Sequence, residues 1–384
     1  MRIGYSCWGF LGPGIIDTPD GGRSHRRALI DGLIRSGHDI VFLQANRDLA
    51  EARHDLTGSY TWDSGLPTID ALFLEWRWPL PGRNTTACGT AGHTCDLHRQ
   101  DQILARYARS QHLPTVIWDK DLRLPASHPL RALPNVAICE PGLLPGPDAT
   151  TLLFPVDDTV LDNADPAALA ATQRHLPLLY VGNQYDRDGA FGTYFAPAAA
   201  QFRHRVAGKW TDVTRWPHVN FTGRCAFSEV RSLCQSAMAT VLLLPDRYAQ
   251  AGQMTQRLFE AVLAGCLPIT PASTACAGKF TPPDLHAAGG QHVIDILWQA
   301  QAAAGTGWHI ATLADCLERL DIFRLSRQIA TLNHILESLT DAPCPPAKPQ
   351  YRCQKPAQNM PARLWPTGIW PCALGGISAA RHPC

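Results

Sequence analysis

The segment Gln256-Arg-Leu-Phe-Glu-Ala-Val-Leu-Ala-Gly-Cys-Leu-Pro-Ile269 begins with a helical pattern and ends with a strand pattern. Its apolar residues fall on one helical face, namely Leu258, Phe259, Val262 and Leu263. Gly265 is a helix stop signal, and the last three residues begin a buried strand. Arg257 and Glu260 lie on the remaining, polar face. A helix that leads directly into a buried strand is typical of a parallel sheet covered by helices.

The same alternation of strands and helices extends along most of the chain. In the second half, the pattern predicts strands at 178–182, 205–207, 219–221, 240–244 and 267–269, with helices at 228–236, 255–264, 313–320 and 322–339. In the first half, it predicts strands at 2–7, 40–43, 69–76 and 115–118, a helix that ends at Gly37 and a helix over 97–112. The sequence therefore predicts an α/β protein with two Rossmann-like, doubly wound parallel sheets.

The two halves meet near residue 155, and the end of the chain differs from both. We expect an N-terminal domain at 1–155 and a C-terminal domain at 156–340. Residues 341–384 contain nine prolines and four cysteines, carry five Lys/Arg against one Asp, and show no periodicity. This composition predicts a disordered tail. The alternative is a basic arm on which Tyr351, Trp365 and Trp370 stack nucleic-acid bases.

Composition limits the class of protein. The chain has 384 residues, 45% apolar and 17% charged, with a formal net charge of +1, which suits a globular protein and not a polyelectrolyte. No apolar run reaches the ~18 residues that span a bilayer, and the N-terminus lacks a signal-peptide core. The 13 cysteines have no fixed spacing and are interpreted as reduced thiols. We therefore expect a cytoplasmic protein without a membrane span.

The polar face of the 256–269 segment suits a nucleotide. At the carboxyl edge of a parallel sheet, a helix start offers free N–H groups and a positive dipole end to a diphosphate. Glu260, one turn further on, can accept hydrogen bonds from both hydroxyls of a ribose because a carboxylate has two acceptor oxygens.

Residues 201–231 carry six Lys/Arg against two acidic residues, a local charge of +4 that suits two phosphates. Lys209 and Arg224 each follow a strand and a glycine, so we predict that they contact the diphosphate. Because Trp210 and Trp216 lie among these cations, single-stranded nucleic acid is an alternative ligand.

On these residues the chain resembles the GT-B glycosyltransferases, and within them the glycosyltransferase family four and spore-maturation-protein-like group. The group's Arg-x-Phe-Glu-x-x-x-x-Gly-x-x-Pro pattern is matched by Arg257, Phe259, Glu260, Gly265 and Pro268. Further similar stretches are Asp20-Gly-Gly22, Gly37-His38, Pro155-Val-Asp-Asp158 and the strand-to-helix passage 221–235. The resemblance covers about residues 1–335 and is strongest over 205–270. It also implies that the last helix, at 322–339, crosses back onto the N-terminal domain.

The resemblance implies a hexosyl- or pentosyltransferase that uses a nucleotide-diphosphate sugar, with UDP- and GDP-sugars favoured, and requires no metal. Gly21 and Gly22 would let the backbone approach the donor, and Thr255, Arg257 and Glu260 would complete its site. The acceptor would carry a free hydroxyl. Alternatives are an enzyme that glycosylates a hydroxylated DNA base, and a non-catalytic nucleotide-binding module with the same fold.

The expected chemistry is transfer with retention of configuration. Retaining members of the group usually carry a second Glu eight residues before the ribose-binding one, but this chain has Gly252 there. Front-face transfer survives that loss because it depends on positioning and on the donor phosphate, whereas inversion needs a general base. The candidates for a base are His25, Asp119 and Asp121, and the alternative for the two aspartates is a loop cap or ion pair.

Four residues of zinc-ligand type, two cysteines and two histidines, occur close together in a glycine-rich loop, at Cys88, His93, Cys95 and His98. Their spacings match no common zinc template, so we expect reduced loop residues and no metal there.

Overall fold

The computed structural model describes residues 1–12 and 23–341. Within these residues the chain forms two parallel sheets. The first has the order β3-β2-β1-β4-β5-β6-β7 and is formed by β1 (Arg2–Ser6), β2 (Asp39–Phe42), β3 (Thr61–Trp62), β4 (Ala71–Glu75), β5 (Thr115–Trp118), β6 (Val136–Glu140) and β7 (Ala149–Thr151). The second has the order β12-β11-β10-β8-β9 and is formed by β8 (Leu176–Val181), β9 (His204–Ala207), β10 (Ala237–Val241), β11 (Leu267–Pro271) and β12 (His286–Ala287).

Helices cover the sheets. In the first half these are α1 (Arg23–Arg35), α2 (Arg47–Ala52) and α3 (Asp96–Ile103), the last continuing as a π-helix over Leu104–Ser110. In the second half they are α4 (Asp158–Asp162), α5 (Pro166–Ala171), α6 (Asp188–Ala190), α7 (Ala196–Ala199), α8 (Val230–Ser236), α9 (Asp246–Gln250), α10 (Arg257–Val262), α11 (Gly290–Ala302), α12 (Gly307–Arg319) and α13 (Leu325–Asp341). None of the helices in the described ranges is long and apolar enough to cross a membrane.

This architecture confirms the predicted pair of doubly wound parallel sheets. One predicted strand, 219–221, is not formed: three backbone hydrogen bonds join residues 220–223 to β9 and Gly208, but they give only the isolated bridge between Val206 and Phe221, and the chain leaves the extended conformation at Gly223 (φ 74°). Strands β3, β6, β7 and β12 were not predicted. The predicted tail, 341–384, lies outside the described residues except for Asp341, the last residue of α13.

The last helix belongs to the first sheet by packing. Helix α13 packs on α1, β5 and β6, and Leu325 lies close against Gly32 of α1. Just before it, Val156 donates its N–H to the carbonyl of Phe323 and accepts from the N–H of Leu325, both at 2.8 Å. The crossover near 155 and the return segment are therefore joined to each other, and the boundary between 155 and 156 stays a prediction.

Candidate active site

A cleft of ≈ 490 Å³ lies where the carboxyl ends of the two sheets face each other. Residues that follow strands β1, β4 and β5 form one wall, and residues that follow β8 and β9 or begin α10 form the other. The first wall includes Trp8, Glu75, Trp76, Trp78, Lys120 and Asp121. The second wall includes Gly182, Asn183, Gly208, Lys209, Arg224, Thr255, Arg257 and Glu260. Ligands of doubly wound folds bind at this edge of the sheet.

Glu260 lies on α10, half-buried in the second wall. Burial raises the pKa of its carboxyl above the ordinary value, while the nearby Ser24 hydroxyl and the charge of Arg257 oppose the rise. Ser24 belongs to α1, so a residue of the first half of the chain lies beside this carboxylate. Helix α10 starts two residues later than predicted and has only six residues, so we assign anion binding to side chains and not to its dipole.

Arg257 holds the start of α10 against the end of β8. Its Nε donates to the carbonyl of Val181 at 2.6 Å, and its Nη1 donates to Thr255 Oγ1 at 3.3 Å. A Cβ on Gly182 would lie 2.6 Å from the guanidinium, so a side chain there would displace Arg257 from these hydrogen bonds. Arg257 and Thr255 therefore shape the second wall, and a direct contact between either residue and a nucleotide stays a prediction.

Lys209 follows β9 at the edge of the cleft. Its backbone N–H donates to Asn183 Oδ1 at 2.8 Å, and its side chain is exposed, without an ion-pair partner in the described residues. The preceding Gly208 has φ 145°, and a Cβ on it would lie 2.1 Å from the carbonyl oxygen of Gly182. The two strand ends therefore meet closely, and this contact places Lys209 in the same wall as Arg224, which is also exposed.

The predicted basic cluster does not act as one surface. Of its six cations, Lys209 and Arg224 line the cleft. The other four do not line the cleft: Arg203 donates to the His175 carbonyl, Arg205 donates to Thr222 Oγ1, Arg215 lies over the Trp216 ring, and Arg231 is exposed on α8. Trp210 and Trp216 pack edge to face with each other and against Phe191, and Trp216 is 6% exposed. Trp216 is a core residue, and the half-buried Trp210 packs against the same core, which corrects their proposed role in stacking on single-stranded nucleic acid.

The structure places two of the three predicted catalytic residues in the first wall. His25 lines the cleft and is buried, stacked on Phe154 with ring centroids 4.2 Å apart. Asp121 lines the cleft, and its Oδ1 accepts a hydrogen bond from the hydroxyl of Tyr248. Burial and the charge of Asp121 raise the pKa of the Tyr248 hydroxyl well above its ordinary value, so the phenol is the donor of this bond.

Asp119 does not reach the cleft. It is 0% exposed, and its Oδ2 accepts from the backbone N–H of Leu124 at 2.6 Å. The intervening Leu122 has φ 52°, which turns the loop back over the carboxylate. Asp119 therefore caps its own loop, the alternative that its sequence position allowed, and its prediction as a catalytic residue is wrong.

Asp119→Asn is expected to change the pH dependence of stability. Burial raises the pKa of Asp119 from 3.8 to about 6, so between these values the folded state holds a proton that the unfolded state has lost. This contribution to stability is complete below pH ~4 and lost as the pH rises through ~6, a decrease of about 3 kcal/mol. The Asn variant should lack this decrease, measured by urea unfolding from pH 4 to 8. Asp284→Asn, at an exposed position, is the control, and identical slopes in all three proteins would contradict the prediction.

Sequence reasoning missed Glu75, the last residue of β4. It is 3% exposed and accepts from Arg26 Nε and Nη2 at 2.7 and 2.6 Å, from Tyr5 Oη at 2.7 Å and pairs with Lys120 Nζ at 2.5 Å. A charged residue at the end of the apolar run Ala71-Leu-Phe-Leu74 was the available signal. This network holds the cation of Lys120 in the first wall and the cation of Arg26 behind it.

The remaining predicted positions are accounted for as follows. Gly21 and Gly22 lie outside the described residues. Arg23, which follows them, lines the cleft and lies over the Phe227 ring of the opposite wall at 4.9 Å. Gly252 has φ 59°, a conformation that favours glycine, which is a physical reason for the missing glutamate.

No protein-family model matches the sequence, and no curated protein is similar to it. Solved structures are similar. The DNA-modifying β-glucosyltransferase of T4 phage, solved with UDP and Mn²⁺, is 12% identical over 88% of this chain and 100% of its own, with a TM-score of 0.60. The chain has the GT-B fold.

Two further structures have the same fold. An α-glucosyltransferase solved with UDP and a 13-mer DNA is 11% identical over 88% of this chain and 100% of its own, with a TM-score of 0.58. A glycosyltransferase involved in avilamycin A biosynthesis is 14% identical over 88% of this chain and 97% of its own, with a TM-score of 0.52. Membership of the family-four group within the GT-B fold stays a prediction. Because the T4 structure holds Mn²⁺, the expectation that no metal is required is not supported.

Proposed function

We propose that this chain transfers a sugar from a nucleotide-diphosphate sugar to a hydroxyl acceptor. The observation that carries the proposal is the cleft, in which the cations of Lys209 and Arg224 and the carboxylate of Glu260 lie in one wall. Two cations suit a diphosphate, and a partly desolvated carboxylate suits the two hydroxyls of a ribose. UDP is the favoured nucleotide because two of the three solved structures named above contain it.

The acceptor would bind against the first wall. Trp8, Trp76 and Trp78 line it, and flat aromatic faces suit the faces of a sugar or a base. His25 and Asp121 lie in the same wall and are the residues proposed to contact the reacting hydroxyl. Closure of the two halves would exclude water from the activated sugar.

Retention of configuration is the proposed outcome. Of the three carboxylates that line the described part of the cleft, Glu75 is paired with Arg26 and Lys120, Asp121 accepts from Tyr248, and Glu260 is proposed to bind the ribose. None of the three is an uncommitted carboxylate base, and His25, the remaining candidate base, is buried and stacked on Phe154, so an inverting reaction is less well supported than front-face transfer. The anomeric configuration of the product, read by NMR before mutarotation, tests this: an inverted product would overturn the proposal of retention and leave glycosyl transfer intact.

A panel of UDP, GDP, ADP, dTDP and CDP in a thermal-shift assay tests donor binding. A nucleotide that binds the native state alone raises the melting temperature in proportion to RT ln(1 + [L]/Kd), so a site filled to 100 times Kd gains about 2.7 kcal/mol. UDP is expected to give the largest shift. No shift with any nucleotide would contradict the proposal, whereas a shift without hydrolysis or transfer of any sugar would favour the non-catalytic module.

A DNA acceptor is the second candidate, because two of the similar solved structures are of a DNA-modifying enzyme and of a complex with DNA. If the acceptor is a hydroxylated base in a duplex, binding through several phosphates should weaken roughly 10³- to 10⁵-fold between ~50 and ~200 mM salt. Fluorescence anisotropy with duplexes that carry or lack the hydroxylated base measures this. Binding that is absent, or independent of salt, would contradict a DNA acceptor and leave a small acceptor as the candidate.

A further inference from the structure

The loop between β4 and α3 gathers three metal-ligand side chains. The Sγ atoms of Cys88 and Cys95 are 3.9 Å apart, and these sulfurs and a ring nitrogen of His93 all lie within 4.8 Å of one another. Two glycines in the left-handed region, Gly89 (φ 89°) and Gly92 (φ 78°), turn the chain between the two cysteines. The sequence alone predicted reduced loop residues and no metal, because the spacing of these residues matches no common zinc template. The turns at the two glycines bring the side chains together, which the spacing could not show.

The separation of the sulfurs suits a shared metal ion. Two thiolates each about 2.3 Å from a tetrahedral Zn²⁺ lie about 3.8 Å from each other, close to the observed 3.9 Å. A disulfide needs about 2.05 Å. Cys88 and Cys95 are exposed and His93 is half-buried, so an ion can enter from solvent.

The ring of His93 is held with one nitrogen available. Its Nδ1 lies 3.1 Å from Thr86 Oγ1, and the Thr86 hydroxyl donates its hydrogen to the carbonyl of Arg83 at 3.1 Å. A hydroxyl has one hydrogen, so Thr86 must accept from Nδ1–H, which leaves the lone pair on Nε2. Nε2 is buried and has no hydrogen-bond partner among the described residues. Second-shell bonds of this kind are the usual way in which proteins orient a histidine ligand.

We propose that Cys88 Sγ, His93 Nε2 and Cys95 Sγ bind Zn²⁺, with the fourth position left to water. Binding releases two thiol protons, so the ion with two thiolates and a neutral imidazole carries no net charge. His98 is not a ligand in this assignment because its Nε2 lies 2.9 Å from Gln102 Nε2.

The ion would fix the wall of the cleft that the loop supplies. Asn84 Oδ1 accepts from the N–H of Leu80 at 2.6 Å, and its Nδ2 donates to the carbonyl of Trp78 at 3.1 Å. Leu80 and Trp78 line the cleft. A metal bound at Cys88 and Cys95 would join two more positions of the loop that contains Asn84. We therefore assign the metal a structural role beside the first wall of the cleft. This metal site is separate from the second wall of the cleft, and its assignment does not depend on the proposed glycosyl transfer.

The test uses the reduced full-length chain, freed of metal by a chelator, reloaded with Zn²⁺ and separated from unbound ion. Zinc content by elemental analysis and the visible spectrum of the Co²⁺-loaded protein are the readouts. Cys88→Ser, Cys95→Ser and His93→Gln are each expected to hold one zinc fewer than the parent chain and to lose the thiolate-to-cobalt absorption. Cys276→Ser and His98→Gln are the controls and should match the parent.

Differences between variants are needed because the chain has 13 cysteines that can contribute background binding. If each metal-free variant has the same melting temperature as the metal-free parent, the substitution has not disturbed the fold. Equal zinc content in the parent and the Cys88→Ser and Cys95→Ser variants would overturn the site. A parent that contains a Cys88–Cys95 disulfide and binds no zinc after reduction would also overturn it, and loss of zinc in His98→Gln would overturn the three-ligand assignment.

Discussion

Glu260→Ala is expected to weaken UDP binding roughly 10- to 150-fold, the equivalent of about 1.5–3 kcal/mol for a charge-assisted hydrogen bond. The carboxylate is half-buried in the second wall of the cleft, so its bond to a ribose would form away from bulk water. The fold should remain, because the apolar face of α10 is formed by other residues, among them Leu258 and Val262. Isothermal titration calorimetry with UDP measures the change in Kd.

Two variants sharpen this expectation. Glu260→Gln keeps the shape and one acceptor oxygen and should lose less affinity than the alanine variant, whereas Glu318→Ala, at an exposed position in the same half, should lose none. Because burial raises the pKa of Glu260, UDP binding by the parent chain should weaken on acidification at a higher pH than an ordinary glutamate would allow. Glu260→Gln should lack that component. An unchanged Kd in Glu260→Ala would remove Glu260 from the nucleotide site, and the thermal-shift panel would still report whether a nucleotide binds elsewhere.

The second wall of the cleft was predictable because its signals are local. Arg257, Glu260 and Gly265 lie within one helix and its stop, so periodicity placed the first two on the polar face before any contact was known. Lys209 was predictable for a similar reason, since it follows a strand and a glycine, and Gly208 is the residue that lets β8 and β9 end side by side.

The first wall of the cleft was only partly predictable, because its residues are held by partners that lie far away in the sequence. Glu75 is fixed by Tyr5, Arg26 and Lys120, which lie 45 to 70 positions away in the chain. Asp119 and Asp121 follow the same strand, and a turn at Leu122 decides which carboxylate faces the cleft. No periodicity reports such a turn at a non-glycine residue.

The two walls are already joined on one side of the cleft. Tyr248 donates to Asp121, and Gln253 Nε2 donates to the carbonyl of Lys120 at 2.8 Å. Arg247 Nε donates to the carbonyl of Asp121 at 2.8 Å. A motion that opens the cleft must either break these bonds or pivot about them. Opening must also separate Arg23 from the ring of Phe227, which lies in the second wall.

Truncation after Leu320 is expected to abolish soluble expression, whereas truncation after Thr340 should leave the melting temperature nearly unchanged. The shorter chain loses α13, whose buried apolar residues are Leu325, Ile329, Leu332, Ile335 and Leu336. Burying each such side chain is worth about 1.5–3 kcal/mol, so the loss is of the same order as the ~5–15 kcal/mol that stabilises a whole domain. Soluble yield and thermal unfolding by circular dichroism measure the outcome.

The hydrogen bonds of α13 add to this loss and make it specific. The side chain of Gln328, 5% exposed, accepts from the N–H of Leu153 at 2.9 Å and donates to the carbonyl of Ile322 at 2.8 Å. The cut after Leu320 leaves the buried N–H of Leu153 without its acceptor, and it also removes both partners of Val156. The cut after Thr340 removes one residue of α13 and the proline-rich segment that follows, for which the sequence shows no apolar period. If the longer product fails to fold, the globular part extends beyond 340; if the shorter one melts like the full chain, the first sheet does not need α13 as its cover.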